Sequence, residues 1–285
     1  MYLPSESLPP RSIPLLSKLI ILNGGFSVPF GWAFFGFGMI FFWVFFMNSE
    51  AIHWFSFQSW EPTQGKIIRS EYTNASENDV EVMKYIYEYE AAGKTYTGRG
   101  YTTGYRFSEG QVIDIEVAAD NPEDSRIQGA RKEMFGWGTI FVVIFPLVGL
   151  AFILFGFRSN MKSLDLLTNG KFARGKLKSK EPTNTRINEQ TVYKYTFEFE
   201  ADNGRTYEAI GKTHIYSLLE DEETERLIYA PNDPSFAVMF DTIAGRPEIA
   251  PDGSLAPISP ARAWVLILPF LTILGHGAYY YFRYM

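Results

Sequence analysis

The sequence predicts a membrane protein of the α+β class, with three transmembrane helices alternating with two small antiparallel β barrel or sandwich modules. Two observations carry this. Residues 26–47, 134–157 and 263–282 contain no Asp, Glu, Lys or Arg. As helices, stretches of this length reach the roughly 30 Å of a hydrocarbon core. The second observation is a repeat. Residues 84–91 read KYIYEYEA, and residues 194–201 read KYTFEFEA, a spacing of 110 residues.

Taken in order, residues 1–25 form an N-terminal segment and residues 26–48 the first transmembrane helix. Within the segment, residues 13–22 are apolar apart from Ser17 and Lys18 and end at Asn23-Gly24-Gly25, a break signal. This reads as an interfacial helix lying on the membrane. The N-terminus lacks a signal-peptide pattern, so the first span reads as a retained anchor.

Residues 60–128 form the first β-module. Met83, Tyr85, Tyr87 and Tyr89 alternate with Lys84, Ile86, Glu88 and Glu90, the period of a half-buried strand with an aromatic inner face. Ala92-Gly93 then signals a hairpin, and Lys94 opens the next strand. Upstream, Gly65-Lys66-Ile67 opens a strand. Downstream, residues 112–117 alternate and stop at Asp120-Asn121-Pro122. Residues 134–157 form the second transmembrane helix, with Pro146 as a kink site.

Residues 167–243 repeat the module. Tyr193, Tyr195, Phe197 and Phe199 alternate with Lys194, Thr196, Glu198 and Glu200, and Asp202-Asn203-Gly204 makes the turn. Gly175-Lys176-Leu177 matches Gly65-Lys66-Ile67. The acidic residues 220–223 with Glu225 read as a solvated charged face. Residues 244–261 form a Pro-rich linker, and residues 262–283 the third transmembrane helix. Trp32, Trp43, Trp137, Trp264 and Tyr279 to Tyr281 lie near span ends, where amphipathic rings favour the headgroup level. No Gly-x-x-x-Gly occurs within a span, so that route to helix pairing is not specified.

The chemistry-bearing residues form no constellation. The chain has no cysteine, so disulfides and thiolate sites are excluded. His53, His214 and His276 lack metal-ligand spacing. No P-loop, G-x-G-x-x-G, H-E-x-x-H or G-x-S-x-G is present. The pairs Glu88/Glu90 and Glu198/Glu200 fall on outward strand faces. Catalytic, cofactor-binding and metal residues are therefore expected to be none. His276, inside a charge-free span, is the candidate intramembrane polar residue. The net charge of −6 argues against nucleic acid.

The opening Trp60-Glu61-Pro62-Thr63-Gln64-Gly65-Lys66-Ile67, the aromatic hairpin, and the closing Tyr229-Ala230-Pro231-Asn232-Asp233-Pro234 together resemble a bacterial membrane family catalogued as domain of unknown function three-five-nine-two. Leu167 to Gly175 looks like a variant opening in the second copy. In the first copy Val117 and Ala119 stand where the closing Tyr and first Pro would be. The resemblance covers both modules. It implies fold and a bacterial envelope location, and brings no catalytic residues.

The function expected is a non-enzymatic multi-pass protein of the plasma (inner) membrane, whose β-modules serve protein or membrane-surface interaction. The alternatives are an oligomeric transporter or channel component, or an accessory subunit of a membrane enzyme. Expected partners are the lipid bilayer and a protein partner or second copy, without nucleic acid; no cofactor is expected. Arg11, Lys18, Arg158, Lys162, Lys171 and Arg262, with Arg174, Lys176, Lys178 and Lys180 just beyond, outweigh Arg126, Arg131, Lys132 and Arg283 around the spans. That bias puts the N-terminus and the second module in the cytoplasm and the first module outside.

Overall fold

Each charge-free stretch is helical over most of its length in the computed structural model, which describes residues 9–54, 58–215, 219, 223–252 and 254–285. Three helical segments, Ser27–Asn48, Trp137–Asn169 and Pro260–Tyr284, are long and apolar enough to cross a membrane. Their α-helical parts are α2 (Ser27–Val44), α3 (Ile144–Asn169) and α4 (Ile267–Tyr284), preceded by the short α1 (Leu15–Asn23). The chain divides into two compact units, Phe37–Leu147 and the remainder, Met1–Gly36 with Val148–Met285. Both cuts fall inside helices.

In the unit Phe37–Leu147, five strands follow α2: β1 (Trp60–Glu77), β2 (Val80–Ala91), β3 (Lys94–Thr103), β4 (Val112–Ala118) and β5 (Asn121–Ile127). They pair antiparallel in the order β3-β2-β1-β4-β5. The alternation places Ile67, Tyr85, Tyr87, Tyr89, Ile113, Ile115 and Ile127 in one core. Glu88 and Glu90 point outward and are exposed. Asn78 and Asp79, both at positive φ, make the β1–β2 turn, and Ala92-Gly93 makes the β2–β3 turn.

The sheet is tied to the helix ends by polar contacts. The Glu50 carboxylate accepts the N–H groups of Lys132 (2.5 Å) and Glu133 (2.9 Å). Glu133, itself buried, meets His53 Nε2 at 3.2 Å and Arg99 at 3.5 Å. Burial of that carboxylate is tolerable because it is hydrogen-bonded on both oxygens. Gly38 packs so tightly that a Cβ there would lie 2.6 Å from the Pro146 nitrogen.

The other unit holds the second copy: β6 (Lys171–Ile187), β7 (Gln190–Glu200), β8 (Thr206–Thr213), β9 (Thr224–Ala230) and β10 (Asp233–Met239), in the order β10-β9-β6-β7-β8. This is the same topology. The copies agree down to their irregularities. Bulges fall at Ile67/Arg69 and Leu177/Ser179, and again at Tyr72/Ser76 and Pro182/Arg186. Thr73 Oγ1 donates to the Val82 carbonyl at 2.6 Å, and Thr183 Oγ1 to that of Val192 at 2.7 Å. The inner face carries Tyr195, Phe197, Phe199, Leu227 and Tyr229.

A further core joins Ile20 and Ile21 of α1, Leu166 and Leu167 of α3, and Phe240, Ile243, Leu255 and Ile258. The expected interfacial helix thus buries one face in protein, while Leu15, Leu16 and Leu19 stay exposed. Arg11, 7% exposed, donates to the carbonyls of Leu167 (3.3 Å) and Gly170 (2.8 Å) and lies 4.5 Å over the Phe172 ring. It caps the negative end of α3. The linker is no loose tether: the Ile258 N–H donates to Ser17 Oγ at 3.0 Å, and Arg262 donates to the carbonyls of Gly245 and Arg246.

Several expectations need correction. Neither sheet's ladders close into a barrel, and β3 and β5 remain edges; Tyr101 of β3 forms an isolated bridge with Arg131, beyond the end of β5. Period-two alternation is the same for an open sheet and a barrel, so it could not distinguish them. Gly65 and Gly175 lie within long strands rather than opening them. Pro122 and Pro234 sit second in the edge strands β5 and β10, where a missing N–H is tolerated. The second apolar helix does not stop where its charge-free run does, at residue 157. It runs on to Asn169, because no Gly or Pro intervenes until Gly170. Glu225 is not solvated; it is 2% exposed, on the inward side of β9 with Leu227 and Tyr229. Glu223 is exposed, and residues 220–222 lie outside the described residues.

Candidate functional site

The charged extension of α3 creates a site-like concavity. Helical spacing brings Leu154, Arg158, Met161 and Asp165 to one face, at steps of three and four residues. Phe236 of β10 forms the opposite wall, and Lys162 reaches over its ring, 5.7 Å from the centroid. The resulting crevice holds about 800 Å³. Its apolar wall includes Phe155, which is 73% exposed, and Leu154, which is 60% exposed. Asp165, at the far end, accepts a 2.7 Å hydrogen bond from Asn169 Nδ2. Among the described residues, neither Arg158 nor Lys162 forms an ion pair.

Two smaller concavities lie on the modules. One, of about 530 Å³, is lined by Thr63, Gln64, Lys66, Glu88 and Glu90 on the outer side of the first sheet. The other, of about 270 Å³, lies beside Tyr229 and Pro231 in the second copy. Lys171 and Asp202 pair at its mouth. That contact holds the Asp202 carboxyl below and the Lys171 ammonium above their usual ranges.

The predicted candidate His276 lies half-buried on α4, with Nε2 3.0 Å from the Gly36 carbonyl oxygen of α2. One turn earlier, the buried Thr272 meets the same glycine, whose Cβ would lie 2.8 Å from Thr272 Oγ1. The geometry makes His276 part of a helix–helix contact. Among the described residues, no group of three or more His, Asp or Glu is placed to hold a metal ion.

Sequence reasoning missed two features. Arg158 and Lys162 entered only as orientation charges, because the opposing Phe236 lies far along the chain. The pairing of α2 with α3 runs through glycines spaced by seven rather than four. A Cβ at Gly31 would lie 2.7 Å from the Ile153 nitrogen, and one at Gly156 2.6 Å from a Val28 methyl. Gly31/Gly38 and Gly149/Gly156 were the available signal.

No family model matches the chain, and no curated protein matches it. Among solved structures, a replication protein A heterotrimer bound to single-stranded DNA aligns over 61% of this chain and 44% of its own, at 6% identity and a TM-score of 0.18. A structure described as the molecular basis for abrogation of activation of pro-inflammatory cytokines aligns over 65% of this chain and 91% of its own, at 10% identity and a TM-score of 0.19. The match thus spans less than half of the replication protein chain. Neither likeness carries an argument about this chain. The expected set of partners nevertheless does not stand. It excluded nucleic acid on the net charge and the acidic surroundings of the aromatic strands, and that exclusion is withdrawn, a DNA-bound protein being among the structures aligned.

Proposed function

We propose that the chain is a non-enzymatic multi-pass protein of a bacterial inner membrane, whose two β-modules serve interaction with protein or with the membrane surface. One observation carries the reading: span-length apolar helices alternate along the chain with two copies of one five-stranded sheet. In both copies the aromatic face is consumed as core. That leaves polar outward faces and long β1–β2 and β6–β7 hairpins for contact. The resemblance to domain of unknown function three-five-nine-two agrees with this location. Counted by three crossings and the charge bias, the N-terminus and the second module lie in the cytoplasm and the first module outside.

The test is fractionation followed by affinity purification. The tagged full chain should stay with membranes through a carbonate wash. Purified from detergent-solubilised membranes after cross-linking, it should carry a protein that a hairpin-deleted chain (residues 183–189 replaced by a Gly-Gly turn) loses. Release by carbonate would sink the membrane reading. Identical cross-linked material from both chains would sink the role of that hairpin.

A further inference from the structure

The crevice at the end of α3 combines an apolar and a cationic lining. Its lower part is open hydrocarbon: Leu154, Phe155 and Met161 are 60%, 73% and 61% exposed. These side chains continue the apolar surface that α3 presents along its span-length stretch, through Leu150. Its upper part is cationic. Arg158 and Lys162 lie one turn apart on the first charged turns of the helix, and among the described residues neither forms an ion pair. Phe236 faces them from β10, its ring centroid 5.7 Å from Lys162 Nζ in a cation–ring contact.

We propose that this crevice binds one anionic phospholipid, its headgroup phosphate between Arg158 and Lys162 and an acyl chain against Leu154, Phe155 and Met161. The inference rests on the membrane reading given above. Charge complementarity selects the ligand. Two cations at the point where an apolar helix leaves the hydrocarbon layer attract an anionic headgroup at that depth, whereas a zwitterionic one brings its own cation. The acyl wall selects an amphiphile over a free anion. The volume of about 800 Å³ accommodates a headgroup and the first part of a chain. Asp165 lines the same crevice one turn beyond Lys162, but among the described residues it forms no ion pair with that lysine, and its carboxylate accepts from Asn169 Nδ2.

The full chain, purified in a neutral detergent, is mixed with phosphatidylglycerol and phosphatidylcholine of identical acyl chains. Retained lipid is counted by native mass spectrometry. The wild-type chain should retain phosphatidylglycerol in preference. Arg158→Gln and Lys162→Gln should each lower that preference roughly fivefold, and the double variant should abolish it. Lys176→Gln, an exposed cation on β6, should leave it unchanged. Inorganic phosphate at equal concentration should not displace the lipid. Equal retention of both lipids by the wild type, an unchanged preference in the double variant, or displacement by phosphate alone would each overturn the proposal. Carbonate fractionation of the same proteins separates the two failures. A chain released from the membrane sinks the membrane reading, whereas a chain retained there without lipid preference sinks only this site.

Discussion

Tyr87 and Phe197 occupy equivalent places in the two copies, yet their surroundings have adjusted to a single hydroxyl. Tyr87 Oη lies 2.9 Å from Ser125 Oγ, and its ring crosses Gly98 so closely that a Cβ there would fall 2.3 Å from Cζ. In the second copy the cross-strand partner of Phe197 is Ala209, and Ala237 stands where Ser125 would. Phe197→Ala should cost about 3–5 kcal/mol by cavity formation. Phe197→Tyr should cost about 1–3 kcal/mol, because the new hydroxyl meets the Ala209 methyl and lacks the serine. Adding Ala209→Gly and Ala237→Ser should recover most of it. Denaturant melts of all three variants decide; a Phe197→Tyr change that costs nothing would show the two cores to be interchangeable. Tyr87 also carries a pH signature. Burial pushes its hydroxyl above the ordinary tyrosine range, with the Ser125 hydrogen bond opposing. In the unfolded chain tyrosine titrates near about 10. Its contribution to stability is therefore complete below about pH 10 and lost as the pH rises above it. Alkaline melts should show Tyr87→Phe losing less stability than the parent over that range. Parallel losses would assign the alkaline sensitivity to other groups.

The hairpins set the register of both sheets, and each does so with non-glycine residues in the left-handed region. Asn188 and Glu189 sit at φ 48° and 66°, matching Asn78 and Asp79 at 48° and 63°. Asparagine tolerates this conformation, but glutamate does so at a cost of about 1–2 kcal/mol. Glu189→Gly should raise the melting stability by about 1 kcal/mol after the entropy of glycine is offset. A lowered melting temperature would mean that the Glu189 side chain makes contacts worth more than the strain. The apolar helices use glycine differently. Backbone meets backbone where Gly31, Gly149 and Gly156 lie in the α2–α3 contact, a geometry that dispersion alone rewards in lipid.

At the scale of the whole molecule, orientation is the open quantity that the charge bias addresses. Ser108 in the first module and Asn184 in the second are both exposed. The chain has no cysteine, so single cysteines report cleanly. Ser108→Cys should react with an impermeant thiol reagent in intact cells, or in spheroplasts where an outer membrane blocks it. Asn184→Cys should react only after the membrane is opened. The reverse pattern would invert the orientation, and labelling of both in intact cells would remove the three-crossing topology.

The three apolar helices and the doubled sheet were legible because each obeys a local rule. A span needs a run without charge, and a half-buried strand needs period two; both are written in consecutive residues, as in 134–157 and in Tyr85, Tyr87 and Tyr89. The repeat supplied a second reading of the same pattern. What the sequence could not determine depends on residues distant in the chain. Alternation is blind to whether a curled sheet closes, so the open edges at β3 and β5 had to be seen. An acidic residue near other acids reads as solvated, but strand phase turned Glu225 inward. Arg11 looked like a topology charge and proved to be the cap of α3, some 160 residues away. The crevice, too, exists only because the chain returns in β10 to set Phe236 against Arg158 and Lys162. Local patterning chooses elements; only packing of the remote segments decides which charges are buried, which cap helices and which remain free to meet a ligand.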